Sequence, residues 1–176
     1  MPLLYITGPS GAGKSTVASE LIRRGYQAYD ADKHLCVWFN NETGKQVDYP
    51  HNKRDRGDEW QQHHSIKMVK ERVATIARNA GNDVVFICGI APNDLEVAKE
   101  YFDKVVCLLI DKQLMIKRVT TRDNNTYGHD SDQLNIMQQW YDRTVNKYQD
   151  HGAVMIDASK PINEVVDRVL NESKSI

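Results

Sequence analysis

The sequence predicts an α/β fold in which helices cover both faces of a five-stranded parallel sheet. Three observations support this prediction. Short apolar runs alternate with segments of helical periodicity, the first apolar run ends at a glycine, and no linker, repeat or low-complexity tract interrupts the alternation. Strands that alternate with helices form right-handed βαβ units, whose crossover helices lie on the two faces of one sheet. We therefore expect a single domain over residues 1–176.

The five predicted strands are short apolar runs, as buried parallel strands usually are. They cover residues 3–7, 26–31, 83–88, 104–110 and 153–157. Between them, apolar residues recur at the spacing of one helix face. The predicted helices cover residues 14–24, 59–79, a segment that begins near Pro92, 111–122, 132–149 and 161–170, and polar loops cover residues 41–58 and 123–131.

The composition narrows the classes of partner. Charged residues make up 27% of the chain and the formal net charge is −1, so the basic excess of a typical nucleic-acid-binding protein is missing. The three cysteines show no CxxC spacing, and Cys88 and Cys107 lie in apolar runs, which favours reduced, buried thiols. A signal sequence and a membrane-spanning run are not recognisable. We expect a cytoplasmic monomer or homodimer that binds neither nucleic acid nor membrane.

One motif carries most of the functional prediction. Residues 8–16 match the phosphate-binding pattern G-x-x-x-x-G-K-[ST] in full, after an apolar strand and at the start of an amphipathic helix. The glycines let backbone amides surround phosphate oxygens, and the helix presents its positive end. Lys14 is expected to bridge the β- and γ-phosphates of ATP, and the Ser15 hydroxyl to bind Mg²⁺. The predicted nucleotide-binding residues are Gly8, Ser10, Gly11, Ala12, Gly13, Lys14, Ser15 and Thr16.

A second motif, Tyr29-Asp30-Ala31-Asp32, closes the second predicted strand. With the phosphate-binding loop, it resembles the P-loop kinases of the nucleoside-monophosphate-kinase-like superfamily, which includes adenylate, shikimate, gluconate and dephospho-coenzyme A kinases. The resemblance implies a three-layer P-loop NTPase fold with a short lid. It also implies that Asp32 is the base or the group that positions the acceptor hydroxyl, and that Asp30 helps it to bind the acceptor. Asp32 is further expected to support Mg²⁺ together with Ser15.

The resemblance also extends to the second half of the chain. Arg118 and Arg122 are four residues apart on one face of a predicted helix, directly before a turn-rich segment. This arrangement is similar to the lid of these kinases, in which arginines close over the phosphoryl group, so residues 118–131 are the expected lid. Arginine suits this role because its planar fork binds phosphate oxygens bidentately. The segment 148–170 resembles the closing strand and helix of the same kinases, with residues 157–161 bordering the adenine.

The acceptor is expected at the carboxyl ends of the strands, between the phosphate-binding loop and the segment 33–80. That segment carries aromatic residues and cations, of which Arg54 and Arg56 are the predicted acceptor-binding residues. The third predicted strand is followed by Gly89 and Asn93 rather than by an acid. Gly89 would allow an acceptor to approach the sheet edge closely. Asn93 would either bind that acceptor or cap the following helix.

These observations predict a kinase that transfers the γ-phosphoryl group of ATP to a hydroxyl or a phosphate of a small acceptor, most simply a nucleoside or nucleotide. Acceptors of the shikimate, gluconate and dephospho-coenzyme A type are alternatives. A nucleotide-dependent switch that hydrolyses ATP slowly is the rival from another class. Asp32 and the arginine pair favour the kinase, because a switch has no need of an acceptor-activating acid.

Overall fold

Five parallel strands form the main sheet of the computed structural model, which describes residues 2–50, 58–81, 83–123, 128–129 and 131–176. The strands of the protein are β1 (Leu3–Thr7), β2 (Gln27–Asp30), β3 (Cys36–Asn40), β4 (Gln46–Val47), β5 (His64–Met68), β6 (Val85–Cys88), β7 (Lys104–Leu109) and β8 (Val154–Asp157). The helices are α1 (Lys14–Arg23), α2 (Ala31–His34), α3 (Asp58–His63), α4 (Lys70–Asn79), α5 (Asp94–Tyr101), α6 (Lys112–Thr121), α7 (Ser131–Asp150) and α8 (Ile162–Ser173).

The predicted parallel sheet is confirmed, and its strand order is β2-β6-β1-β7-β8. The central strand β1 pairs with β6 and β7, with Leu4 opposite Phe86 on one side and Lys104 on the other. All five residues of β1 are buried, because helices lie against both faces of the sheet. Consequently the phosphate-binding loop, which follows β1, leaves the sheet at its centre.

Two apolar cores lie on opposite faces of the sheet. On one face, β1 and β7 pack against α1, α6, α7 and α8, through residues such as Val17, Leu21, Met115, Val119 and Val166. On the other face, Tyr5 and Ile87 pack with α2, α4 and α5, through Ala31, Leu35, Val73 and Val97. Cys88 and Cys107 are free and buried as predicted, and burial raises the pKa of the Cys107 thiol to about 12. Each helix in the described part of the chain is too short or too polar to span a bilayer.

A second, smaller sheet corrects two predictions. The prediction of one helix over residues 59–79 is wrong, because the short helix α3 ends at His63 and β5 follows before α4 begins at Lys70. The prediction of a loop throughout residues 41–58 is also wrong, because β4 lies within it. The strands pair antiparallel in the order β4-β3-β5, and Trp38 stands opposite both Val47 and Ile66.

The physical reason is tertiary pairing. Residues 64–68 pair their backbone with β3, and Cys36, Ile66 and Met68 then lie on the face of the small sheet that meets the core. Ile66 also continues the spacing of the apolar residues on one face of α4. The sequence pattern therefore predicts that Ile66 is helical, whereas pairing with β3 places it in a strand.

Gly89, which follows β6, is required by packing. A Cβ atom at this position would lie 2.4 Å from the Cβ atom of Ala31, at the start of α2. Helix α2 therefore fills the space beside the Gly89 Cα atom. The glycine is required by this packing and not by the approach of an acceptor.

Replacing Gly89 by alanine is expected to lower the free energy of unfolding by about 1–3 kcal/mol, because the new methyl group overlaps Ala31. Urea denaturation measures the change. The double variant Gly89→Ala/Ala31→Gly exchanges the two groups and should recover part of the loss. A Gly89→Ala variant as stable as the wild type would contradict the packing argument.

Candidate functional site

The phosphate-binding loop has the backbone that an anion site needs. Gly8, Gly11 and Gly13 all have positive φ values, of 140°, 75° and 94°. A Cβ at Gly8 would lie 2.4 Å from the Leu108 carbonyl oxygen, so the loop begins in close contact with β7. Gly13 stands at the N-cap of α1, and glycine brings no side chain to occupy the helix terminus. The first-turn amides of α1 therefore face the loop, where phosphate oxygens can accept their hydrogen bonds.

Lys14 lies over this loop. Its Nζ atom donates hydrogen bonds to the carbonyl oxygens of Gly8, at 2.8 Å, and Pro9, at 3.0 Å. Burial lowers the pKa of Lys14 to about 8, Asp32 opposes the shift, and Arg122 adds to it. The charges of Asp32 and Arg122 thus both act on the Lys14 ammonium group, beside which the transferred phosphoryl group is expected.

The two aspartates at the end of β2 have different surroundings. The Asp30 carboxylate caps α2, because its Oδ1 atom accepts a hydrogen bond of 3.1 Å from the backbone amide of Asp32. Desolvation by the surrounding protein raises the pKa of Asp32, the charge of Asp30 raises it further, and Lys14 opposes the shift. A carboxylate with a raised pKa is a better proton acceptor than an ordinary aspartate. Asp30 thus supports α2, whereas Asp32 has surroundings that would suit a base.

The two predicted lid arginines do not share a helix face. Helix α6 ends at Thr121, and Arg122 follows it in an extended conformation, so the expected common face over residues 118–122 is wrong. Arg118 donates hydrogen bonds to the carbonyl oxygens of Gly11, at 3.3 Å, and Ala158, at 3.2 Å. It therefore links the phosphate-binding loop to the loop after β8. Within the expected lid, residues 124–127 and 130 lie outside the described residues.

A cleft of about 790 Å³ opens beside the phosphate-binding loop. Its volume is in the range of sites for small molecules. One wall is the small sheet, the opposite wall is α7, and the segment after β6 forms the floor. The lining residues are Pro9, Ser10, Trp38, His64, Ser65, Ile66, Ile90, Ala91, Pro92, Ile136, Met137, Trp140, Tyr141, Arg143, Thr144 and Lys147.

Aromatic side chains face this cleft from both walls. On the small sheet, Trp38 and His64 line the cleft, and each is backed by a second ring: Trp38 stacks on Tyr49 with ring centroids 5.2 Å apart, and His64 stacks on Trp60 of α3 at 4.1 Å. On α7, Trp140 is 60% exposed, which is unusual for a tryptophan in a folded domain. A cleft with an ordered aromatic wall and an exposed tryptophan opposite it suits a planar ligand, because aromatic faces stack.

The remaining predicted acceptor residues lie in different places. Asn93 exchanges two hydrogen bonds of 2.9 Å with the backbone of Met68, so its amide fastens the end of β5 instead of capping α5. The Cβ direction of Gly89 points to α2, as described above. Arg54 and Arg56 lie outside the described residues. Trp38, which the sequence alone did not favour as an acceptor contact, lines the cleft.

Sequence analysis missed Asp94, the first residue of α5. Its side chain is fully buried and accepts hydrogen bonds from the hydroxyl groups of Tyr5 and Tyr148, from Lys147 Nζ and from the backbone amide of Ala91. Tyr5, a hydroxyl-bearing residue inside an apolar strand, is the one sequence signal that a buried polar partner existed.

Comparison with known proteins agrees with this architecture. A family profile described as AAA domain matches residues 4–138. A comparison with curated proteins gave no match.

Solved structures are similar over nearly the whole chain. Shikimate kinase from Aquifex aeolicus has a TM-score of 0.58 at 19% identity and covers 98% of this chain and 96% of its own. A gluconokinase from Sinorhizobium meliloti has a TM-score of 0.58 at 15% identity, and the match covers 99% of this chain and 92% of the gluconokinase. Deoxyadenosine kinase from M. mycoides with bound dATP has a TM-score of 0.55 at 15% identity, and the match covers 96% of this chain and 97% of the deoxyadenosine kinase. At such low identity these likenesses establish the fold, which is that of the P-loop nucleoside-monophosphate-kinase-like proteins.

The lowered pKa of Lys14 gives a pH prediction. Only the ammonium form attracts phosphate, so ATP affinity should be constant below about pH 8 and fall above it, by up to about tenfold per pH unit. Titration calorimetry with Mg-ATP between about pH 7 and pH 10 measures the slope. Lys14→Met should bind more weakly with a flat profile, whereas Lys112→Met, a control outside the loop, should keep the wild-type slope. A slope that persists in Lys14→Met would assign it to another group.

Proposed function

The chain belongs to the AAA domain family, and from that premise we propose that it is an ATP-dependent kinase for a small acceptor bound in the cleft. The acceptor accepts the γ-phosphoryl group on a hydroxyl oxygen. One observation carries the proposal: the Asp32 carboxyl interacts with Lys14 of the phosphate-binding loop, and the same loop contributes Pro9 and Ser10 to the wall of an aromatic cleft. The phosphate-binding loop thus adjoins both the proposed base and an acceptor-sized space.

The proposed reaction needs positioning and charge neutralisation more than covalent chemistry. Asp32 accepts the proton of the acceptor hydroxyl, whose oxygen attacks the γ-phosphorus while the bond to the β-γ bridging oxygen breaks and ADP leaves. Lys14 and Arg122 stabilise the negative charge on the phosphoryl oxygens. Arg118 holds the phosphate-binding loop against the loop after β8, on the adenine side of the site.

The first turn of α1 would also hold Mg²⁺. Ser15 follows Lys14 at the helix terminus, which no side chain caps, and its hydroxyl would bind the ion directly. Asp32 would support the ion through water, so that its carboxylate stays free to accept a proton. Hydroxyl and carboxylate oxygens are ligands that Mg²⁺ accepts, together with phosphate oxygens and water. When bound there, the ion neutralises phosphate charge.

We propose a nucleoside or nucleotide as the acceptor. The aromatic residues on both walls of the cleft support this class, because a nucleobase offers a planar face for stacking. A sugar acid offers only hydroxyl and carboxylate groups, which make little use of Trp38 and Trp140. Shikimate, gluconate and dephospho-coenzyme A are the alternative acceptors, and they should be tested beside nucleosides and nucleotides.

Asp32→Asn tests the proposed base. This change keeps the shape of the side chain but removes its ability to accept a proton, so kcat for phosphoryl transfer should fall about 100-fold or more. Titration calorimetry should find the Mg-ATP affinity within a few-fold of the wild type. Asp30→Asn is the matched control, because that residue caps α2, and it should retain most of the activity. Nearly unchanged transfer in Asp32→Asn would remove this residue from the mechanism.

A panel assay separates the kinase from the rival nucleotide-dependent switch. ADP release is measured with Mg-ATP alone and with nucleosides, nucleoside monophosphates, dephospho-coenzyme A, gluconate or shikimate. We expect one nucleoside or nucleotide to raise the rate well above the rate without acceptor. A slow rate that no acceptor changes would favour the switch.

A further inference from the structure

The buried carboxylate of Asp94 connects the acceptor cleft to the centre of the molecule. Its Oδ2 atom lies 2.9 Å from the Tyr5 hydroxyl and 3.2 Å from the Ala91 amide, and it also accepts a hydrogen bond from Tyr148. Its Oδ1 atom lies 2.7 Å from Lys147 Nζ. Four donors from β1, α7 and the segment after β6 therefore converge on one side chain.

This cluster meets the physical requirements for keeping a charge inside a protein. An ionised carboxylate away from water is costly unless donors and a counter-charge surround it. Burial and the nearby Asp94 charge raise the pKa of both Tyr5 and Tyr148, so the two phenols stay protonated and donate. Lys147 supplies the counter-charge, and its side chain is 34% exposed while that of Asp94 is 0% exposed.

The exposed end of this cluster belongs to the cleft. Lys147 lines it, as do Thr144, Trp140 and Ile136 from the same helix. Their spacing of three or four residues places them on one face of α7. Ala91, whose amide also binds Asp94, lies in the floor of the same cleft. The ammonium group is thus held at the cleft surface from behind by a side chain that solvent cannot reach.

We infer that Lys147 is an acceptor-binding residue of the cleft and that Asp94 is the positioning residue that aims it. The inference rests on the proposed function, because it concerns the acceptor of that reaction. An ammonium group has three N–H donors, and Asp94 accepts one of them, which leaves donors for a ligand. Asp94 neutralises the charge of Lys147, so the pair suits an uncharged oxygen, such as a nucleobase carbonyl or a ribose hydroxyl, better than a second anion.

The chain contains a second lysine–aspartate pair that involves α7 and can serve as a control. Lys112 Nζ, at the start of α6, binds the Asp142 carboxylate of α7 at 2.6 Å, and both side chains are exposed. Neither residue lines the cleft, although Lys112 also contacts the ring of Tyr141. Lys112→Met therefore breaks a lysine–aspartate pair between α6 and α7 without removing a donor from the acceptor cleft.

Deoxyadenosine is the probe, and quenching of tryptophan fluorescence reports its binding, because Trp38 and Trp140 line the cleft. Lys147→Met and Asp94→Asn should each raise the dissociation constant for deoxyadenosine about tenfold or more, while the affinity for Mg-ADP stays within a few-fold of the wild type. Lys147→Arg should recover much of the binding, and Lys112→Met should bind as the wild type does.

Unfolding midpoints show whether each variant is folded. The double variant Asp94→Asn/Lys147→Met removes both charges together, so it decides the question if a single variant fails to fold. Unchanged deoxyadenosine binding in folded Lys147→Met, an equal loss of Mg-ADP affinity, or a wild-type protein that does not bind deoxyadenosine would each overturn the inference. A wild-type protein that binds deoxyadenosine but does not phosphorylate it would support the binding role and contradict the proposed function instead.

Discussion

A carboxylate inside a protein needs donors on every side, and Asp94 obtains them from three separate parts of this fold. Tyr5 comes from the central strand, Ala91 from the segment after β6, and Lys147 and Tyr148 from α7. Removing any of these groups leaves part of a buried charge unsatisfied, so the helix, the strand and the floor of the cleft are held in a fixed relation. The width of the acceptor cleft depends on that relation, because α7 forms one of its walls.

The strand order brings the other parts of the site to the same region. β1 lies at the centre of the sheet, so the phosphate-binding loop is flanked by the ends of β6 and β7, and β2 brings Asp30 and Asp32 alongside β6. Desolvation then shifts the pKa of Lys14 downward and that of Asp32 upward, and each charge opposes the shift of the other. Opposed groups with shifted pKa values are what proton transfer beside a phosphate requires.

The sequence was sufficient wherever local chemistry determined the structure. The parallel strands and the phosphate-binding loop could be predicted because apolar runs and the glycine-lysine pattern act over a few residues. The small sheet could not, because β5 becomes a strand only by pairing with β3, whose partner residues lie 24 to 32 positions earlier in the chain. Asp94 was missed for the same reason: its partners Tyr5 and Tyr148 lie far from it in sequence. Arg118 was placed correctly at the end of a helix, but its carbonyl partners depend on the packing of α6 against two loops.

In the proposed reaction, the cleft and the phosphate-binding loop are two halves of one phosphoryl-transfer site. An assay that follows the label of γ-³²P-ATP in the presence of Mg²⁺ and a nucleoside tests this arrangement. We expect one labelled nucleoside phosphate for each ADP formed, because the acceptor oxygen captures the phosphoryl group. ADP accompanied only by labelled inorganic phosphate, at a rate that no acceptor changes, would contradict the proposed reaction.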